Sequence, residues 1–250
     1  DMKNEYERFN IRAKVDANLS DNIKVGVNNI FSNATQYRPE NSAWFKAYFA
    51  VPIIPVIDPL NTAADPTPYS NAQLLGYRGT QNPFPDMEFN NNRLKIRKIL
   101  TSVYLQMFFF DGKVNYKSTY NHDFSSLEER YVNLPYLLGN NVERISQITR
   151  VQNNFSNQIW DNTITYTDSY GDHDLTVLLG SSYRDESRNT FRATGQDITG
   201  IDLETSWFLD FANGESFINN VGESGNRFYG LSFFGRVSYD FKDRYLLYAT

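Results

Sequence analysis

The stretch Phe9-Asn10-Ile11-Arg12-Ala13-Lys14-Val15-Asp16-Ala17-Asn18-Leu19 alternates without a break between an apolar or small residue and a polar or charged one. A period of two places the two sets on opposite faces of an extended strand. The turn Ser20-Asp21-Asn22 follows, and Ile23, Val25 and Val27 resume the pattern against Asn22, Lys24 and Asn28. This is a hairpin with one apolar face and one highly polar face.

Three more hairpins follow. Ile99, Val103, Leu105, Met107 and Phe109 lead to Asp111-Gly112, a strong short-range hairpin signal, and Val114, Tyr116 and Tyr120 return from it. Trp160, Ile164 and Tyr166 lead into a turn over Asp168-Ser169-Tyr170-Gly171-Asp172, with Leu175, Val177, Leu179 and Tyr183 leaving it. Phe233, Val237, Tyr239 and Phe241 run to a turn at 240–243. Between the hairpins lie long polar links over 34–92, 126–146 and 191–226, and these alternate strictly with the tight turns. Short turns at one end and long loops at the other describe a membrane β-barrel. Several strands also exceed the soluble norm of about 5–6 residues. An all-β sandwich shares the alternation, but strand length and loop asymmetry favour the barrel.

Composition excludes other classes. Aromatics reach 16%, with 19 Phe and 17 Tyr, and such residues form the girdles of membrane barrels. A net charge of -5 gives no basic field for nucleic acid. There is no Cys and only two His, His122 and His173, so neither disulfides nor a His- or Cys-based metal centre is expected. The most apolar run, Phe49 to Ile57, is too short for a helical span and is broken by Pro52 and Pro55. In a membrane, a chain of this kind satisfies its backbone only within a closed barrel. The chain opens on Asp1-Met2-Lys3-Asn4-Glu5 and stops inside a strand pattern, Tyr245 to Thr250. The expectation is that 1–250 is one segment of a larger barrel.

The stretch from Phe228 to Leu247 carries Phe234-Gly235-Arg236, then Tyr239-Asp240-Phe241-Lys242-Asp243, then Tyr245-Leu246-Leu247. It resembles the barrel signature of the SusC/RagA family of TonB-dependent outer-membrane transporters. Gly171 to Tyr183 is similar to that family's turn and following strand. Tyr6 to Arg12 and the Pro-rich stretch Pro52 to Pro59 are also similar, in the family's order. The resemblance implies a large multi-pass transmembrane β-barrel with short periplasmic turns, long extracellular loops and an N-terminal plug. It further implies import of glycans or peptides, a SusD-like surface lipoprotein as partner, and contact with TonB through an N-terminal region outside this sequence. No enzymatic activity and no cofactor are expected. The runner-up is a secreted all-β carbohydrate-binding module; a glycosidase fragment is weakened by the lack of a convincing carboxylate pair.

Arg12, Lys14, Asp16 and Lys24 are expected on the lumen face. Phe108, Phe109 and Phe110, with Tyr239, Phe241 and Tyr245, read as a periplasmic aromatic girdle. In the longest loop, Trp44, Tyr69 and Tyr77 are the candidate ligand- or partner-binding residues, chosen because exposed aromatics stack on sugars or partner surfaces. They can equally form the loop's own small core. No catalytic residue and no metal ligand is expected: Gly222-Glu223-Ser224-Gly225 lacks the spacing of a nucleophile elbow, and Asp172/Asp174 and Asp202/Glu204 read as solvated charges.

Overall fold

The computed structural model describes residues 3–39, 41–58, 68–70, 76–77, 82–138, 141–143, 145–213 and 221–250. Its elements are β1 (Glu5–Ser20), β2 (Ile23–Arg38), α1 (Asn41–Phe49), α2 (Phe84–Glu88), β3 (Asn90–Phe109), β4 (Val114–Asn133), β5 (Tyr136–Leu138), β6 (Asn141–Glu143), β7 (Gln147–Tyr170), β8 (His173–Gln196), β9 (Val221–Phe241) and β10 (Tyr245–Ala249). One antiparallel sheet of eight strands runs in the order β1-β2-β3-β4-β7-β8-β9-β10, and β5 and β6 form a separate small ribbon. Every strand of the large sheet pairs with its predecessor in that series, so the wall is a continuous up-and-down meander.

The tight turns all fall at one rim and tie to one another. The Phe108 amide donates to Asn22 O, Thr167 N to Lys113 O, and Lys242 N to Asp172 O. The second turn is wider than a two-residue Asp-Gly loop: Phe110, Asp111 and Gly112 all adopt positive φ, and Lys113 N closes it on Phe110 O. The third is tighter than the sequence pattern suggests, because β7 continues through Asp168 and Tyr170 before turning at Gly171-Asp172. Gly171 has φ +62°, which only glycine adopts freely.

The turns step downward across the sheet. Ile23 pairs with Met107, leaving two more residues of β3 beyond it. Val114 pairs with Tyr166, leaving four more of β7, while β8 and β9 end level at His173 and Phe241. Six residues of rise over six strand spacings correspond to a tilt of roughly 35°, taking about 3.3 Å per residue and 4.8 Å between strands. That is the tilt at which a sheet closes into a membrane barrel. The sheet's edges among the described residues are β1 and β10, and an open edge is not tolerated in hydrocarbon.

The two faces differ as the alternation requires. One row of the outer face crosses seven strands as Val15, Val27, Val103, Tyr120, Trp160, Tyr183 and Leu231. Several polar groups in this band pair with neighbours: Trp160 Nε1 donates to Ser118 Oγ at 2.8 Å and Tyr116 to Asn162 at 2.9 Å, and His122 bonds Ser156 at 3.0 Å. Pairing spares the hydrocarbon a bare donor. Away from the turns the band stops sharply. Phe9 gives way to Glu7, Phe31 to Asn33, Ile99 to Arg97, Phe124 to Ser126, Trp160 to Gln158, Tyr183 to Asp185 and Tyr229 to Arg227.

Beyond that line the strands continue. With 24 residues each, β7 and β8 rise about 65 Å along the barrel axis at this tilt, against an apolar band of about 25 Å. The long connections consequently begin later than the polar sequence suggests, at 39–89, 134–146 and 197–220 rather than at 34, 126 and 191.

The aromatic belt sits beside the turns, with two changes from expectation: Phe110 lies in the turn itself, beyond the end of β3, and Phe108 faces inward. Phe109, Tyr239, Phe241 and Tyr245 lie on the outer face, whereas Phe108 turns inward, where Lys24 Nζ stands 5.4 Å from its ring centroid. Adjacent strand residues cannot share a face. Tyr166, Tyr170 and His173 complete the belt, with His173 bonded to the Tyr239 hydroxyl at 2.5 Å and Tyr166 hydrogen-bonded to Tyr170.

Candidate functional site

The inner face is predominantly polar from the turn rim to the loop rim, with apolar residues such as Ile30 and Leu100 set among the polar ones. Near the turns, Lys14 pairs with Asp16 at 2.8 Å, Tyr104 donates to Asp16 at 2.8 Å, and Arg12 donates to Asn28 at 3.0 Å. Arg12, Lys14, Asp16 and Lys24 thus share one wall, as the sequence pattern predicts. Two glycines here are fitted to aromatic rings: a Cβ on Gly26 would lie 2.1 Å from the Tyr104 ring, and one on Gly180 would lie 2.3 Å from Phe234. In each pair an aromatic ring of the neighbouring strand occupies the space above the glycine, a packing known to compensate for strand glycines. Farther up, Arg184 pairs with Glu186 at 2.5 Å and donates to Asn157 at 3.2 Å, and Thr190 donates to Asn153 at 2.7 Å.

Near the loop rim the inner face opens into a hollow of about 580 Å³, lined by Asn92, Glu129, Tyr131, Asn133, Gln147, Thr149, Val151, Thr190 and Arg192. These come from β3, β4, β7 and β8, and the register explains their convergence: Glu129 is level with Val151, Tyr131 with Thr149 and Asn133 with Gln147, while Val151 is level with Arg192. Tyr131 donates to Glu129, and the hydroxyls of Thr149 and Thr194 share a 3.0 Å hydrogen bond. A second hollow of about 390 Å³, bounded by Arg188, Thr190, Ser224, Gly225 and Asn226, shares Thr190 with the first. The lining offers amide and hydroxyl donors and acceptors, one carboxylate and two guanidinium groups. It suits a polar, hydrogen-bonding solute and offers little apolar contact.

The long connections frame this opening. Asp86, nearly fully buried, accepts from Ser42 at 2.7 Å, Lys46 at 2.6 Å and Tyr136 at 3.1 Å, binding α1, α2 and β5 together. On the outer side, Ile198 and Trp207 pack on Val132 and Ile148 to form a small core. Arg130 lies 5.0 Å from the Trp207 ring, pairs with Glu204 at 3.0 Å and donates to Asn91 at 2.9 Å.

The three aromatics singled out in the sequence lie in the 39–89 connection. Trp44, on α1, is exposed and borders an apolar recess of about 170 Å³ with Pro39, Ala43, Ala47, Pro83, Phe84 and Met87. Tyr69 stacks on Phe84 with centroids 6.1 Å apart, and its hydroxyl donates to Glu88. Partial burial first, and Glu88 second, push the Tyr69 phenol up to about 12. Tyr77 is partly exposed. Phe84 thus brings Trp44 and Tyr69 to one neighbourhood, and among the described residues Tyr77 has no recorded contact with them. Pro52 and Pro55 are described; Pro59 lies outside the described residues. The inner hollow has no counterpart in the sequence reading, since its lining comes singly from strands far apart in the chain. The one available signal is the polar set of alternate residues over 129–133, 147–151 and 190–192.

An apolar outer band, a polar inner face, an aromatic belt and elaborated loops at one rim define a class, the wall of a transmembrane β-barrel. No family model matches the chain. It is 27% identical over 251 residues to the TonB-dependent receptor P26 of Formosa agariphila, an alignment covering 96% of this chain and 23% of that protein. Among solved structures it superposes on the RagAB peptide importer in its "closed-closed" state, with TM-score 0.69 and 15% identity over 95% of this chain and 26% of that one. The "open-open" state gives TM-score 0.71 and 14% identity over 96% and 26%. The chain is thus similar to a stretch of these barrels and spans about a quarter of the length of the proteins it matches. These relatives are receptors and transporters rather than enzymes.

Proposed function

We propose that this chain forms part of the wall of a TonB-dependent importer that carries glycans or peptides across the bacterial outer membrane. The observation that carries the reading is the division of the wall into an outward apolar band and an inward polar face, with hydrogen-bonding hollows at the loop rim. The fold of the RagAB peptide importer and the likeness to a TonB-dependent receptor support it. In this reading residues 1–250 are one segment of the barrel, and the plug and the region that meets TonB belong to other parts of the protein. A SusD-like lipoprotein caps the loop rim, where α1, with Trp44, and the Tyr69–Phe84 stack offer aromatic surface. Trp44, Tyr69 and Tyr77 are the proposed contact residues for cargo or for that lipoprotein.

The cargo wall is tested by replacing Glu129 and Arg192 with Gln and measuring uptake of labelled oligopeptides and oligosaccharides by cells with matched amounts of folded barrel. The reading expects uptake of one of these cargo classes to fall severalfold; unchanged uptake of both would sink it. A secreted carbohydrate-binding module is disfavoured because it would leave the outward band facing water, far beyond the few hundred Å² of apolar patch that soluble proteins expose.

A further inference from the structure

Immediately above the apolar band, the outer face carries a concentration of cations that the barrel reading leaves unexplained. Arg97, Lys95 and Arg93 are consecutive outward residues of β3, directly above the outward Ile99. Arg93 is level with Arg130 on β4, and Arg130 with Arg150 on β7, so three guanidinium groups stand in one row across adjacent strands. Like charges directly opposite each other destabilise a sheet. Glu128 pairs with Arg97 at 3.1 Å, and Glu204 with Arg130; Arg150 donates to Trp207 O at 3.1 Å. Arg93 and Lys95 form no ion pair and no side-chain hydrogen bond among the described residues, although Glu128, engaged by Arg97, is level with Lys95. Glu5 and Glu7, on the same face, stand two strands away on β1.

We propose that Arg93, Lys95 and Arg97 bind the phosphorylated headgroup of a lipid of the outer leaflet. The position selects lipid over a free anion. Each residue raises the chain by about 2.7 Å at the observed tilt, so Arg97 lies about 5 Å above the last apolar residue. That is the depth of the headgroup layer, about 5–7 Å thick on each side of the hydrocarbon. Lys95 and Arg93 follow at about 11 and 16 Å, and their flexible stems let the charged ends reach down to a phosphate. Arg130 and Arg150, engaged by Trp207 and Glu204, add positive potential beside the site without lining it. This inference rests on the membrane-barrel reading, with the loop rim outside the cell.

The test uses the full-length folded barrel in neutral detergent, titrated with lipid A and with its dephosphorylated form, and bound lipid read by native mass spectrometry. About fivefold of affinity is expected per cation near a charged lipid surface. Lys95→Ser should therefore weaken lipid A binding about fivefold, and Arg93→Ser/Lys95→Ser/Arg97→Ser about a hundredfold. Replacing Arg12 and Lys14 on the inner face should leave lipid A binding unchanged. Dephosphorylated lipid should bind as weakly as lipid A binds the triple variant, and inorganic phosphate should not compete. Parental retention by a folded triple variant, shown by heat-modifiable gel mobility, would overturn the proposal. Competition by inorganic phosphate at the lipid's own concentration would also overturn it, in favour of a general anion site. A chain that never acquires heat-modifiable mobility in detergent would instead overturn the barrel reading.

Discussion

Substituting arginine at Val103 and at its neighbour Ser102 puts the same side chain on opposite faces of one strand. Val103 lies in the outward row between Val27 and Tyr120. Four residues separate it from Ile99 at the upper edge of the band and six from Phe109 at the aromatic belt. At about 2.7 Å of height per residue these are roughly 11 and 16 Å, which sets Val103 near the midplane. An arginine there costs about 2–4 kcal/mol, falling to about 0–1 at the interface. Val103→Arg should therefore cost about 3 kcal/mol, more than a hundredfold in the folding constant, and Val15→Arg, in the same row, about as much. Ile99→Arg should cost less than about 1 kcal/mol. Ser102→Arg faces the lumen between Asn28 and Asn121 and should change stability little. The assay is urea titration of the full-length barrel folded into phosphatidylcholine vesicles, with folded and unfolded species separated by heat-modifiable electrophoresis. Equal costs at 102 and 103, or a larger cost at 102, would refute the facing and with it the register of the whole wall.

Three further outcomes follow from the same geometry. Protease added to intact cells should cut within 39–89, 134–146 or 197–220 and spare the Asp111-Gly112 turn; cleavage at that turn would invert the sidedness. Gly26→Val should cost about 1–3 kcal/mol, the range for overpacking, because the new Cβ meets the Tyr104 ring; Tyr104→Ala should recover part of that loss, and additivity of the two would deny the contact. The Tyr69 phenol is pushed up to about 12 by burial and Glu88, so the folded loop favours its neutral form. Its contribution is complete below the unfolded value of about 10 and is lost as pH rises toward the folded one. Local protease resistance of the loop should fall across that interval in the parent, whereas Tyr69→Phe should show no such step.

The fold was legible wherever one face meets lipid and the other water, because only there does the sequence alternate. Phe9 to Leu19 shows it plainly. Above the band both faces meet water or loops, so Gln152, Asn153, Asn154, Ser156, Asn157 and Gln158, drawn from both faces, carry no alternation although β7 runs straight through them. A polar strand and a polar loop then look alike, and the links were expected to start several residues too early. The third turn misled for a different reason. Asp168, Ser169 and Tyr170 have turn-like composition, but Asp168 is held in the strand by Lys113 at 2.8 Å and by the Tyr166 hydroxyl at 2.9 Å. A side-chain partner from a neighbouring hairpin and one from the same strand override local preference. The candidate site was hardest to see: Glu129, Thr149 and Arg192 meet only through two successive strand registers, which no local window contains.

These two regimes explain how one wall serves two tasks. Within the membrane the outer face is fixed by lipid, so the inner face alone can be polar, and it carries short-range pairs such as Lys14–Asp16 and Arg12–Asn28. Above the membrane neither face is constrained by hydrocarbon. There the outer face acquires a core around Trp207, while the inner face opens into hollows whose polar groups are only partly paired with one another. Partly paired groups are the ones that gain most from a hydrogen-bonding solute. The same strands thus supply rigidity below and adaptable polar surface above, and the added length of β7 and β8 is what brings that surface to the mouth. If so, shortening β7 and β8 by matched pairs above Trp160 and Tyr183 should preserve barrel assembly while abolishing cargo uptake. Retained uptake in such a barrel would place recognition elsewhere in the protein.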